Sequence, residues 1–481
     1  MWQLVLMING YFISILGCAM LAVAGYDIYA NDLSWSYFLN SALFTLFVGL
    51  SLFLSNRTTI NSISIKQGYL LTTTSWFFIC LLSALPFLMY GCTSNFHDAF
   101  FEAVSGVSGT GATIFADVES LPKPILLWRA ILNGLGGVGV IIFAVALLPL
   151  LGIGGMQIFQ LENSDVNDKF MPKFHYIAKR IILVYVFFSV CCIVCLYFLG
   201  MSLFDAVAHG LSTVATAGFS TKNNSIAYFD NWRIEMVIML FMTLSALPMT
   251  FFVMLMQNKF RQSIRTVQVV AFLKTAFWIT LGMALWMRLT GVYDSLLQCF
   301  RYASFNVVSV ITTTGMASAD FLSWGAFAVA AFAVISFIGG CPGSTTGSVK
   351  IFRWQVIWAF LKQSMALAVA PKRIVPVKIK NFILNDGVIS SVLIFTTLYF
   401  FTIVVLVLLL TVSGVDAFVA LASVVGCITN VGPGVVNSIG PLGSYGFLPP
   451  FAKDVLACAM LLGRLEILTV LVVFTRNFWR D

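Results

Sequence analysis

Charge is what this sequence has least of. Only 10% of its 481 residues are Asp, Glu, Lys or Arg, against about 25% in an ordinary soluble domain. A water-facing surface of normal composition cannot be built from so few charges. Histidine is scarcer still, with three residues, His97, His175 and His209, and no HExxH pair. The ten cysteines lie mostly inside apolar runs, with no paired CxxC units beside histidine to hold a metal. Cys191, Cys192 and Cys195 share one apolar segment, where cysteine behaves as a small hydrophobe. No Walker A motif and no dinucleotide fingerprint after a strand occurs, so the chain is expected to bind no nucleotide. A lipid-modifying enzyme would need clustered Asp, His or Cys on one face, and the sequence offers none.

Hydrophobic residues, by contrast, make up 60% of the chain and mean hydropathy is +0.96. That describes an integral membrane protein. Crossing the hydrocarbon core takes about 20 apolar residues in a helix. Long apolar runs occur near 3–25, 37–55, 69–91, 125–152, 181–201, 233–256, 268–287, 321–361, 386–413 and 450–475. The first has neither a basic leading segment nor a small-residue cleavage site, so it reads as a retained anchor. About ten crossings place both termini on one side. With the N-terminus inside, most of the 27 Lys and Arg residues fall on the cytoplasmic side, notably in 169–180, 259–274 and 372–380. Lys123, Arg129, Lys222, Arg233, Arg288, Arg301 and Lys453 then fall outside. The positive-inside rule therefore puts both termini in the cytoplasm. The net charge of +8 needs anionic lipid and this rule, not nucleic acid.

Between crossings lie four similar stretches, apolar yet too short or too glycine-rich to span. Each starts at an aspartate: Asp98 (DAFFEAVSG), Asp205 (DAVAHGLST), Asp294 (DSLLQCFRY) and Asp416 (DAFVALASV). Each ends in a small-residue strip with a glycine: Gly109-Thr110-Gly111, Thr216-Ala217-Gly218, Thr313-Thr314-Gly315 and Asn430-Val431-Gly432. An aspartate can cap the free N–H groups of a short helix. A half-bilayer helix then directs the negative end of its dipole towards the membrane centre, where it favours a cation. The returning strip cannot be helical, and such backbone survives at membrane depth only when it is buried in protein or lines water. Glycine tolerates positive φ, which lets successive carbonyls turn the same way. Four such strips about one axis would give rings of carbonyl oxygens able to replace the hydration shell of a monovalent cation. Ordinary turn-containing loops are the alternative reading of any single strip.

The run 321–361 is too long for one span and is interrupted by Gly339, Gly340, Cys341, Pro342, Gly343, Ser344, Thr345, Thr346 and Gly347. Glycine and proline cannot sustain a helix here, so two helical halves joined by an irregular intramembrane loop are expected. Arg464 lies in the last apolar run, about 18 Å before Arg476 on a continuous helix and so near the bilayer centre. A charge there faces water or a partner. It either faces the pore beneath the strips or pairs with a buried acid such as Glu102 or Glu466.

These residues together resemble the pore subunit of the Trk/Ktr/HKT potassium transporter superfamily, most closely the bacterial TrkH/TrkG type. The resemblance spans essentially the whole chain. It rests on the N-terminal helix pair, the four strips, GFSTKNNSIAYFD at 218–230, GGCPGSTTG at 339–347 followed by Lys350 and Arg353, and MLLGRLE at 460–466. It implies an all-α polytopic membrane protein: four M1–pore-helix–M2 repeats around a pseudo-fourfold pore, plus two N-terminal transmembrane helices. The corresponding units are 1–66 (helix pair), 67–168, 169–265, 266–380 (with the gating loop) and 381–481. It further implies that the twelve strip residues form a potassium filter, with glycine at all four key positions, and that loop 339–347 and Arg464 form the gate. No covalent cofactor is implied, only K+ ions in the filter. The implied setting is the bacterial inner membrane, as a homodimer with cytosolic NAD- and ATP-binding, TrkA-like regulator subunits. The family's first strip usually reads TTTG, whereas this chain has SGTG at 108–111. A symporter driven by H+ or Na+ through a midplane site is the main alternative. It would need an acid in the pathway, with Glu102 and Asp98 as candidates.

Overall fold

Each apolar run becomes a helix because a chain in hydrocarbon must satisfy its own backbone N–H and C=O groups. The computed structural model describes residues 2–30, 34–59, 64–146, 170–256, 267–380 and 382–480. The expected boundaries at 168/169 and 265/266, the end of the run 125–152, and Lys169, Lys259, Arg261 and Arg265 lie outside the described residues.

Helices α1 (Trp2–Tyr29) and α2 (Trp35–Ser55) form the N-terminal pair. Their axes approach closely through glycine: a Cβ on Gly10 would lie 2.5 Å from the Phe53 nitrogen, and one on Gly49 2.6 Å from Ser14 Oγ. Small residues at a membrane helix contact allow this approach. The first repeat comprises α3 (Ile65–Ser83), extended by α4 (Leu85–Met89), half-helix α5 (Phe96–Ser108) and α6 (Lys123–Ala146). The second has α7 (Phe170–Phe198), half-helix α8 (Leu203–Val214), and the bent pair α9 (Trp232–Ser245) and α10 (Met249–Met256). The third has α11 (Val267–Leu289), half-helix α12 (Leu296–Ile311), α13 (Ala326–Ile335) and α14 (Ile351–Val369). The fourth has α15 (Asp386–Val412), half-helix α16 (Ala417–Ile428), α17 (Pro450–Arg464) and α18 (Ile467–Val473), closed by the short α19 (Arg476–Trp479).

Among the described residues, seven helices are long and apolar enough to cross a membrane, and nine spans result when each bent pair counts once. The run 321–361 is split between α13 and α14, as its glycines require. Residues 338–339 and 349–350 at the two ends of the loop pair as short parallel strands, β1 and β2, which pinch its base. A second two-stranded sheet, β3 (Lys378–Ile379) with β4 (Phe382–Ile383), is antiparallel and precedes α15.

Two local expectations are corrected. Only Asp416 caps its half-helix, accepting from Phe418 and Val419 N–H. In α5 and α8 the caps are Asn95 and Ser202, whose side chains accept from the N–H of Asp98 and Asp205. Those aspartates therefore sit in the first turn, still favoured by the helix dipole. Asp294 precedes Ser295, which makes no side-chain cap bond. The second correction concerns Arg464. The last span is not continuous: α17 stops at Arg464, Glu466 takes φ 61°, and α18 leaves at 110° to α17. The straight-helix distance to Arg476 does not apply.

Candidate functional site: a four-strip ring and the loop beneath it

The four half-helices end in the same backbone motif. At the first position of each strip triplet, Gly109, Thr216, Thr313 and Asn430 have φ of 65°, 51°, 53° and 55°. The terminal glycines Gly111, Gly218, Gly315 and Gly432 have φ of 80°, 90°, 76° and 92°. The middle residue of each strip donates its N–H five residues back: Thr110 to Ser105 at 3.0 Å, Ala217 to Ser212 at 3.0 Å, Thr314 to Ser309 at 2.8 Å and Val431 to Gly426 at 3.2 Å. Gly109 thus occupies a left-handed slot that the other three strips fill with Thr, Thr and Asn. The SGTG departure places glycine where left-handed backbone is required, and the strip has the same shape as its counterparts.

The strips close on one another in order. A Cβ on Gly111 would lie 2.3 Å from the Ala217 carbonyl oxygen, on Gly218 2.2 Å from that of Thr314, on Gly315 2.0 Å from that of Val431, and on Gly432 2.4 Å from that of Thr110. The sequence of contacts returns to its start. Each glycine is therefore fixed twice, by its backbone angle and by the carbonyl of the next repeat. Side chains brace the ring from behind. Asn430 Nδ2 donates to Thr110 Oγ1 at 2.9 Å and to the Met460 carbonyl at 3.0 Å, and Tyr445 OH donates to the Gly432 carbonyl at 2.7 Å.

On the outer side the four glycines line the floor of a funnel of about 70 Å³, whose wall includes Phe219, Lys222 and Asn223. At its rim Asn223 donates to Asp117 Oδ1 at 2.8 Å, and that hydrogen bond, with N–H groups of Ser120 and Glu119, holds the exposed Asp117 carboxyl below the usual carboxylate range. Behind the funnel, Arg129 and Glu102 form a fully buried pair at 2.7 Å. Arg129 also donates to the Ser220 carbonyl at 3.2 Å and to Thr113 Oγ1 at 3.1 Å, so it ties the outer ends of strips one and two. Its guanidinium stacks 4.0 Å from the Phe219 ring. Lys453 reaches Asp98 at 2.5 Å, and Arg301 reaches Glu235 at 2.7 Å. The positive-inside count places Arg129, Arg301 and Lys453 outside and assigns them no partners. They lie within helices α6, α12 and α17, and for Arg129 and Lys453 a charge inside an apolar run was the available signal for a buried pair. Removing one partner of a buried pair costs about 3–5 kcal/mol. Glu102→Gln should therefore lower the thermal unfolding midpoint of the detergent-solubilised protein sharply. Glu102→Leu combined with Arg129→Met should recover much of the loss, since an apolar replacement leaves no uncompensated charge.

Beneath the ring lies the loop 339–347. Its N-terminal part hangs from the break between α9 and α10: Cys341 N–H donates to the Ala246 carbonyl at 2.9 Å, Met249 N–H to the Gly343 carbonyl at 3.0 Å, and Thr345 N–H to the Ser245 carbonyl at 3.3 Å. Gly339 and Gly340 leave no room for side chains, since a Cβ would meet the Gly347 carbonyl oxygen at 2.4 Å and Thr346 Oγ1 at 2.7 Å. Pro342 and Gly343 form the turn, with Gly343 at φ 75°. Ser344 and Thr346 hydroxyls bond at 2.8 Å, and Lys350 Nζ donates to the Thr346 carbonyl and hydroxyl. The loop touches three strips. Thr216 Oγ1 donates to Thr345 Oγ1 at 3.1 Å, Gly347 N–H donates to Thr313 Oγ1 at 2.7 Å, and Gly347 packs so close to Asn430 that a Cβ would lie 2.8 Å from Asn430 Cβ.

Arg464 meets the remaining strip. Its Nη2 lies 3.2 Å from where a Cβ on Gly109 would be. All three of its side-chain nitrogens are buried without a hydrogen-bond partner among the described residues. The pairing alternative for Arg464 is overturned, because both candidate acids are engaged elsewhere: Glu102 with Arg129 and Glu466 with Arg353, the latter at 2.8 Å. Arg353 in turn stacks 3.6 Å from the Phe395 ring, which locks the α17–α18 bend to α14 and α15. The structure thus brings together all twelve strip residues and sets the loop and Arg464 directly beneath them.

The model of the family described as TrkH, cation transport protein, matches residues 34–292 and 247–480. The chain is 38% identical to the Trk system potassium uptake protein TrkI of Halomonas elongata, over 86% of this chain and 84% of that one. It is 34% identical to the Trk system potassium uptake protein TrkH of the same organism, over 99% of both chains. Its fold matches the crystal structure of the potassium transporter TrkH from Vibrio parahaemolyticus with a TM-score of 0.92 and 31% identity, over the full length of both.

Proposed function

Since the chain belongs to the TrkH family of cation transport proteins, we propose that it takes up potassium across the bacterial inner membrane through the four-strip ring. The observation that carries this reading is the cyclic order of glycine-to-carbonyl contacts, which aligns four carbonyl-bearing strips around one axis. Carbonyl rings exchange for the hydration shell of a monovalent cation, and conduction needs binding weak enough to let the ion leave. The negative ends of α5, α8, α12 and α16 add attraction from behind. The filter is Gly109, Thr110, Gly111; Thr216, Ala217, Gly218; Thr313, Thr314, Gly315; and Asn430, Val431, Gly432.

The gate is the segment Gly339–Gly347 together with Arg464. Loop contacts to strips two, three and four, and the Arg464 approach to strip one, support a conformation in which the inner exit is blocked. Opening then requires the loop to leave Thr216, Thr313 and Asn430 and the guanidinium to withdraw. Cytosolic NAD- and ATP-binding regulator subunits, docking on basic cytoplasmic segments of a homodimer with both termini inside, would drive that movement. Symport through a midplane carboxylate is less favoured, because Asp98 and Glu102 are held by Lys453 and Arg129.

Potassium-limited growth of a cell lacking its own uptake systems tests the reading. Rescue by this chain, with its regulator co-expressed, and failure of Gly315→Asp at equal membrane expression is the expected result. Rescue by both would remove the filter assignment, and rescue by neither would remove potassium uptake.

A further inference from the structure

A crevice of about 200 Å³ opens on the flank of the first repeat, lined by Phe12, Leu16, Trp76, Val107, Leu135 and Gly139 among others. Its walls come from α1, α3, α5 and α6, and it contains no charged side chain. The residues fall in the middle of α1 and well inside α3 and α6, at the depth of the hydrocarbon core. Ile15 at its mouth is 40% exposed, whereas Trp76 at its back is only 3% exposed. Among the described residues nothing covers the mouth, and at this depth water would find no polar partner within. Protein interiors rarely leave a void of this size, because its lining forfeits dispersion contacts.

We infer that the crevice binds one acyl chain of a bilayer phospholipid. The location gives the occupant a consequence. Val107, its inner wall, packs so tightly on α6 that a Cβ on Gly136 would lie 1.9 Å from the Val107 carbonyl oxygen. Val107 is two residues before Gly109, so the acyl chain wedges against the α5–α6 contact behind the first strip. Gly139 sets the crevice's width: a Cβ there would meet only Trp76, at 3.7 Å, so a larger side chain can grow into the space without moving backbone.

Brominated acyl chains quench tryptophan at contact range and provide the test. The full chain and Trp76→Phe are reconstituted in phosphatidylcholine vesicles with dibrominated or ordinary acyl chains. The difference between the two proteins isolates Trp76 emission. That emission should be lost in brominated vesicles, and Gly139→Leu, which fills the crevice, should restore it while other tryptophans stay quenched. Trp76 emission equal in both lipids would overturn the inference, meaning that protein covers the crevice or nothing enters it. The wild-type and Trp76→Phe pair decides this even if Gly139→Leu fails to fold.

Discussion

One methyl group on Gly218 should abolish potassium uptake, whereas one on Gly109 should leave it within a few-fold of wild type. Both glycines have positive φ, so backbone strain alone would treat them alike. Their neighbours differ. At Gly218 the new Cβ would fall 2.2 Å from the Thr314 carbonyl oxygen, an approach no real pair of atoms tolerates. Either the carbonyl turns or the strip moves outward, and both remove an oxygen from the ring. Misplacing a reacting or coordinating group by about 1 Å can cost about a hundredfold in rate. Strain at an unfavourable φ adds about 1–3 kcal/mol. At Gly109 the new Cβ would meet Arg464 Nη2 at 3.2 Å, the movable end of a long side chain. Its φ of 65° lies close to the 51°, 53° and 55° that Thr216, Thr313 and Asn430 adopt at the equivalent place. Rubidium uptake into proteoliposomes carrying Gly218→Ala, Gly109→Ala or wild type separates the two cases. Equal loss in both variants would mean that the strips fail through folding and that ring geometry is not what the glycines protect.

Replacing Arg464 with glutamine should raise basal flux. Like charges about 4 Å apart repel by about 4 kcal/mol at an effective dielectric of about 20, which bounds what a guanidinium beneath the first strip can do to an ion. Part of that repulsion is relieved by water and by movement of the side chain, so an increase of about tenfold in regulator-free rubidium uptake is expected. The same substitution removes a buried cation with no acceptor among the described residues, and the protein should unfold at a higher temperature. A fall in uptake, with a lower unfolding temperature, would mean that Arg464 supports the strip mechanically. Glu466→Gln is a useful contrast, since it frees Arg353 from the α17–α18 bend without altering the charge closest to the ring.

The strips were legible in the sequence because their chemistry is local. Glycine at positive φ, a short apolar helix before it and small polar residues beside it are all written in a few adjacent positions. The interrupted run 321–361 was legible for the same reason, since Gly339, Gly340, Pro342 and Gly343 cannot continue a helix. What depended on distant partners was not. Nothing near Gly111 announces the Ala217 carbonyl oxygen, and nothing near Arg464 announces that Glu102 and Glu466 belong to Arg129 and Arg353. The helix break after Arg464 has only Gly463 beside it as a local signal, and Glu466 at φ 61° bonds to Arg353. The misplaced caps have a simpler origin: Asn95 and Ser202 are as suited to capping as the aspartates three residues later. Taking the aspartate as the cap starts α5 and α8 too late.

The central claim is that cations are coordinated inside the ring made by Thr110, Ala217, Thr314 and Val431 with their glycines. Anomalous diffraction from crystals grown in rubidium tests it most directly. An anomalous peak is expected on the axis between the four strips, lost when potassium-free sodium replaces rubidium during growth. Anomalous density confined to the outer funnel or to the flank of the molecule, with none between the strips, would contradict it.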